Sequence, residues 1–149
     1  MSELSELGGR KTQDPGPRTQ HFAFLCPGQG SQKVGMGSEV YQVSDVAKKI
    51  FDMANEVLGF DLKTLCFQGP EDQLGQTQFT QLALYVTSVA LYEAYRAEFP
   101  APSFVAGHSL GELSALTIAG AIKFEDGLKI VQKRGQLMAQ AKAGAMAAV

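Results

Sequence analysis

The order of the residues predicts an α/β domain built on a parallel sheet, and three observations carry that reading. Two short apolar segments, "HFAFLC" and "SFVAGH", each run into a glycine-bearing turn. The stretches between and after them repeat apolar residues at helical spacing. Strand and helix therefore alternate along the chain, as in sheets whose strands are joined by helical crossovers.

Each element has its own justification. Residues 1–20, "MSELSELGGRKTQDPGPRTQ", place Gly8, Gly9, Pro15, Gly16 and Pro17 among mixed charges with few large apolar side chains. Too little apolar surface is available to offset chain entropy, so a disordered tail is expected. Glu3, Glu6 and Asp14 argue against an organelle transit peptide. "HFAFLC" reads as a buried strand, and "PGQGSQKVGMG" as a glycine-rich loop that cannot continue a ladder. Val46, Ile50, Ala54 and Val57 mark one face of an amphipathic helix, which Ser44 or Asp45 can cap. "FDLKTLCFQGPEDQLGQ" reads as two helical turns broken at Gly69 and Pro70. Leu82 to Phe99 is a long helix, apolar on nearly every side through Tyr92, and belongs inside. Pro100 and Pro102 end it. "SFVAGH" is a second buried strand, two helices at about 110–119 and 124–141 follow, and "GAMAAV" is a last apolar piece.

Composition excludes several functions. With 149 residues and 45% hydrophobic content the chain can bury one core and little more. A net charge of −2 with scattered lysines and arginines offers no basic stripe for nucleic acid or an anionic membrane. Cys26 and Cys66 form no CxxC pair and fit neither a zinc site nor a disulfide framework, so a reducing cytoplasm is expected. The longest uncharged apolar run, Leu82 to Tyr92, is too short to span a bilayer, and no signal pattern opens the chain.

GHSLG at residues 107–111 fits GxSxG and lies where strand gives way to helix, the context that gives this motif meaning. Gly107 and Gly111 leave room for a cramped turn that pushes the Ser109 hydroxyl above the sheet edge. The same turn aims the Leu110 backbone N–H and the helix N-terminus at an oxyanion forming beside Ser109. The competing reading, that Ser109 caps the helix, explains the serine but not the two glycines.

GQGSQK is a poor phosphate cradle, because Lys33 stands where GxGxxG needs its last glycine and no GK[ST] follows. It is either a plain tight turn or a strand-end turn in which Gln29 supplies a second oxyanion donor. A wheel of residues 124–141 at about 100° per residue places Phe124, Leu128, Ile130, Val131, Leu137, Met138 and Ala141 on one side, with Arg134 in mid-arc. A guanidinium buried there requires an anionic partner, either an Asp or Glu of the protein or a substrate carboxylate gripped by two parallel hydrogen bonds.

Together these residues resemble the malonyl-CoA:acyl carrier protein transacylases and the acyltransferase domains of polyketide synthases. "PGQGSQKVGMG" is similar to that family's N-terminal signature, "AGHSLGELSAL" to its nucleophile elbow, and "RGQLMAQA" with "GAMAAV" to the segment carrying its substrate arginine. The resemblance runs from about Phe22 to Val149. It implies an α/β-hydrolase-like core, here residues 21–143, with residues 144–149 starting a ferredoxin-like subdomain. It also implies Ser109 as acyl acceptor, Arg134 as holder of the malonyl carboxylate, Gln29 and Leu110 as oxyanion donors, and Gln81 as a pocket glutamine. This chain has Leu82 where the family commonly shows proline. The implied reaction is a double displacement from malonyl-CoA to the pantetheine thiol of acyl carrier protein, without metal or redox cofactor.

Family members are about twice this length and carry their general-base histidine downstream, so the sequence is expected to be an N-terminal fragment lacking most of the small subdomain. Neither His21, ahead of the first strand, nor His108, beside Ser109, is placed to act as that base. Two other readings stay open: a serine esterase or thioesterase using the same elbow, and a catalytically silent half-domain that binds a partner.

Overall fold

The computed structural model describes residues 21–141 apart from Ala97. The expected tail at 1–20 and the apolar piece at 144–149 lie outside the described residues. Strand β1 (Ala23–Cys26) is followed by helices α1 (Ser38–Val43), α2 (Asp45–Leu58), α3 (Leu62–Gln68), α4 (Glu71–Leu74) and α5 (Thr77–Arg96). Strand β2 (Phe104–Gly107), α6 (Gly111–Ile118) and α7 (Phe124–Gln140) complete the order. The two strands pair in parallel, Ala23 opposite Phe104 and Cys26 opposite Gly107, so the whole α1–α5 segment is the crossover between them.

Local chemistry sets the helix ends. The Ser44 hydroxyl accepts from Ala47 N at 3.2 Å and starts α2, while Gly59, at φ 73°, ends it in the left-handed conformation. Asp61 caps α3 by accepting from Thr64 N at 3.0 Å. The loop at 27–37 is followed by α1 as a separate short helix, which the apolar spacing does not distinguish from α2.

The long helix begins at Thr77, five residues before the expected Leu82. Its first turns are polar, but Thr80 and Gln81 are fully buried, with Thr80 Oγ1 donating to Leu74 O at 2.6 Å. Buried polar groups with partners extend a helix beyond where hydropathy ends it. Around α5 pack Phe51, Leu62, Leu65, Leu128 and Val131 in the main core. Burial of each such side chain contributes about 1.5–3 kcal/mol.

Both strands were expected to be buried, and the structure corrects that. Phe24, Cys26 and Val105 face Tyr92, Ala115 and Ile118 in a second, smaller cluster. The alternate residues point away: Leu25 is 72% and Phe104 66% exposed. Period-two alternation puts successive side chains on opposite faces, and among the described residues helices cover only one of them. No helix among the described residues is long and apolar enough to cross a membrane.

Candidate active site

The connection from β2 to α6 is built by contacts that exclude side chains. A Cβ on Gly107 would run into the Gly111 backbone. One on Gly111 would run into Cys26 O and lie 2.9 Å from Pro27 O. Both glycines are therefore required by close backbone approach, which lets α6 start directly over the end of β1. His108 N continues the strand pairing by donating to Cys26 O at 3.1 Å, and Gly111 N closes the turn on His108 O at 2.9 Å. Between these anchors Ser109 takes φ 54°, the sole positive φ of a non-glycine among the described residues. Holding a serine there costs about 1–3 kcal/mol, and the surrounding backbone imposes it.

Ser109 does not cap α6. Leu110 holds the N-cap position, and the Ser109 hydroxyl instead accepts from Arg134 Nη2 at 3.0 Å. The nucleophile reading thus keeps its serine, and the capping alternative loses it. The Leu110 side chain is buried in the main core, while its backbone N–H donates to no group among the described residues. The Gln29 N–H is likewise uncommitted among the described residues. Gln29 is held beside the elbow: a Cβ on its neighbour Gly28 would lie 2.5 Å from His108 Nδ1, and Gln29 Nε2 donates to Thr77 Oγ1 at 3.1 Å.

Arg134 sits on α7 in the third turn, half-buried. Its Nη1 donates to Gln81 Oε1 at 2.6 Å. The ion pairs among the described residues are Lys48–Asp45, Lys63–Asp52 and Arg96–Glu93, and none involves Arg134. The expectation of an anionic protein partner is therefore corrected: two neutral oxygens hold the guanidinium. Because Arg134 lies at a cleft and retains part of its hydration, it does not require a carboxylate within the protein. Gln81 was expected in the pocket wall. It is instead 0% exposed behind Arg134, with Nε2 on Met138 Sδ at 3.2 Å, and acts on the cleft through the arginine.

The cleft itself has a volume of about 840 Å³ and is lined by Ser109 in the turn and by Glu112, Leu113 and Leu116 from α6. From α7 come Lys129, Ile130, Lys133, Arg134 and Leu137. Two members of the predicted apolar arc, Ile130 and Leu137, are 47% and 54% exposed here. The arc divides because α7 turns glycines toward α5. A Cβ on Gly135 would lie 3.0 Å from Gln78 Cα, so the tight contact falls on that side and Ile130 and Leu137 are left to the cleft.

The profile of the acyl transferase domain matches residues 23–149. The chain belongs to this family. The acyl transferase domain is 55% identical over 128 residues to polyketide biosynthesis protein ThaF of Burkholderia thailandensis, in a match covering 85% of this chain and 11% of that protein. It is 48% identical over 131 residues to the malonyl CoA-acyl carrier protein transacylase of Bacillus subtilis strain 168, covering 86% and 41% of the two chains. The solved structure of a malonyl CoA-acyl carrier protein transacylase from Coxiella burnetii superposes with TM-score 0.79 at 47% identity, covering 81% of this chain and 39% of that one. The chain thus spans less than half the length of each. The expected α/β class and family hold.

Among the described residues neither His21 nor His108 bonds to the Ser109 hydroxyl. His108 is exposed, and His21 Nδ1 lies 3.0 Å from Ser103 Oγ beyond the N-terminal end of the sheet. Thr77, which holds Gln29, carries no signal in the sequence. Leu113 and Leu116 do: four and seven residues past Ser109, they fall on its side of α6.

Proposed function

We propose that the whole protein transfers a malonyl group from malonyl-CoA to the pantetheine thiol of acyl carrier protein through an acyl-Ser109 intermediate. The observation that carries this reading is the 3.0 Å hydrogen bond from Arg134 Nη2 to the hydroxyl of a serine in a left-handed turn. A cation fixed beside a nucleophile suits an acyl group that brings its own carboxylate.

Ser109 Oγ attacks the thioester carbonyl, and the oxyanion is held by the Leu110 and Gln29 N–H groups. The C–S bond breaks, CoA leaves as its thiol, and the carrier thiol then attacks the acyl-serine ester. We assign the general base that takes the Ser109 proton to the part of the relatives' length that this chain does not span. Arg134, braced by Gln81, releases the serine and takes the malonyl carboxylate; an acetyl group would leave that cation without its anion. The reaction so written needs neither metal nor redox cofactor. Two free, buried thiols, Cys26 and Cys66, fit a reducing cytoplasm. A serine esterase would use the same elbow, but would have no use for Arg134.

The test is selectivity. Arg134→Ala should lower malonyl loading about 100-fold and raise acetyl loading relative to it. Equal losses for the two acyl groups would remove Arg134 from substrate recognition.

A further inference from the structure

Tyr85 lies one helical turn beyond Gln81 on α5, on the same side of that helix. It is fully buried, and its ring stacks on Phe124 with centroids 5.6 Å apart and planes at 13°. The Tyr85 hydroxyl donates to Phe124 O, in the first turn of α7, at 3.0 Å. It also lies 2.8 Å from Thr117 Oγ1 on α6, and Thr117 Oγ1 lies 3.1 Å from Leu113 O. Three contacts share two hydrogens, and the two carbonyls can only accept. With the phenol proton on Phe124 O, Thr117 donates to Tyr85, and the phenol ties α6 to α7. Burial first, with Glu125 and Asp126 adding to it, pushes the phenol up to about 12, so it keeps its proton.

The backbone has made room for this group. A Cβ on Gly127 would run into Tyr85 Oη and lie 3.0 Å from Thr117 Oγ1. A glycine inside a helix weakens it, and here the glycine lets α7 approach the phenol. The two helices so joined are the ones that carry the site: Ser109 just ahead of α6, and Arg134 on α7.

We propose that the Tyr85 hydroxyl sets the separation of Ser109 and Arg134, and is thereby a positioning residue for the choice of carboxylate-bearing acyl groups. The inference rests on the malonyl reading above and adds a determinant that touches neither substrate nor nucleophile. Gln81 aims the guanidinium; Tyr85 fixes how far its helix stands from the serine's.

The experiment compares Ser109 acylation by malonyl-CoA and acetyl-CoA, followed by intact mass, in the whole protein and in Tyr85→Phe, Thr117→Val and Tyr92→Phe. Tyr85→Phe and Thr117→Val should each lower the malonyl-to-acetyl rate ratio about tenfold. Tyr92→Phe, a change to another buried phenol of α5, should leave it unaltered. A normal ratio in Tyr85→Phe, even with a lowered melting temperature, would make the hydroxyl merely structural and overturn the proposal. Should Tyr85→Phe not fold, Thr117→Val decides in the same way. Should the unaltered protein take no malonyl on Ser109, it is the functional reading that fails. Spacing is then read by nitroxides on Leu116→Cys and Lys133→Cys, the native thiols being buried. Tyr85→Phe should broaden the α6–α7 distance distribution; an unchanged distribution would overturn the spacing claim.

Discussion

The helical side of the molecule and its sheet side hold their parts of the site by different means. Around α5 the side chains do the holding: Phe51, Leu62, Tyr85, Leu128 and Val131 are fully buried, and Arg134 is braced by Gln81 from within that mass. At the sheet the backbone does it: Gly107, Gly111 and Cys26 O meet so closely that no side chain fits, while no described residue covers the outer face of the two strands. Ser109 and Arg134 meet where these two regions join. The turn at Ser109 is therefore fixed by main-chain contacts, and Arg134 by a side-chain network that can be altered without touching the turn; on the proposed function the first governs reactivity and the second acyl choice.

Substitutions should separate the two. Phe51→Ala empties the position packed by Tyr41 and Phe67 at ring separations of 5.9 and 5.1 Å. It should cost about 4 kcal/mol in urea unfolding. Gly111→Ala forces β1 and α6 apart and should cost about 3 kcal/mol, with loss of Ser109 reactivity outrunning the loss of stability. Equal reactivity in that variant would break the claim that backbone contact sets the turn.

Alkaline titration sharpens the same contrast. Burial raises the Cys66 thiol from 9.0 to about 12, with Asp61 adding to it, and the Tyr85 phenol from 10.0 to about 12. Groups whose proton is held more tightly when folded contribute stability that is complete below the unfolded value. That stability is lost as pH rises through the folded one. Unfolding followed across this range should show on the order of 5 kcal/mol lost between about pH 9 and 12, and Cys66→Ala should flatten the curve. The smallest effect is expected on the sheet face that no described residue covers, where Phe104→Ala in this chain should change stability by less than about 0.5 kcal/mol. A loss comparable to that of Phe51→Ala would show that this face is covered in solution.

Much of this was legible in the sequence, and what was not has a common physical cause. The elbow could be read because its glycines serve a purely local need, the space inside one turn. Arg134 could be singled out because a cation within an apolar arc conflicts with its surroundings. Its partners could not be read, since Gln81 lies far away in the chain and is neutral. The early start of α5 was hidden for the same reason: Thr80 and Gln81 count as polar until their distant partners are known. Gly127 offers only the signal of a weak helix position, and its reason, the Tyr85 hydroxyl, comes from another helix. The exposure of Leu25 and Phe104 depends on which layers cover the sheet, which alternation within a strand does not encode.

The most direct measurement is peptide mapping of the whole protein after brief incubation with malonyl-CoA. One malonyl group should be found on the peptide that carries Ser109, and none on it in Ser109→Ala. A malonyl group attached elsewhere, or no attachment at all, would contradict the assignment of this serine as the acyl carrier.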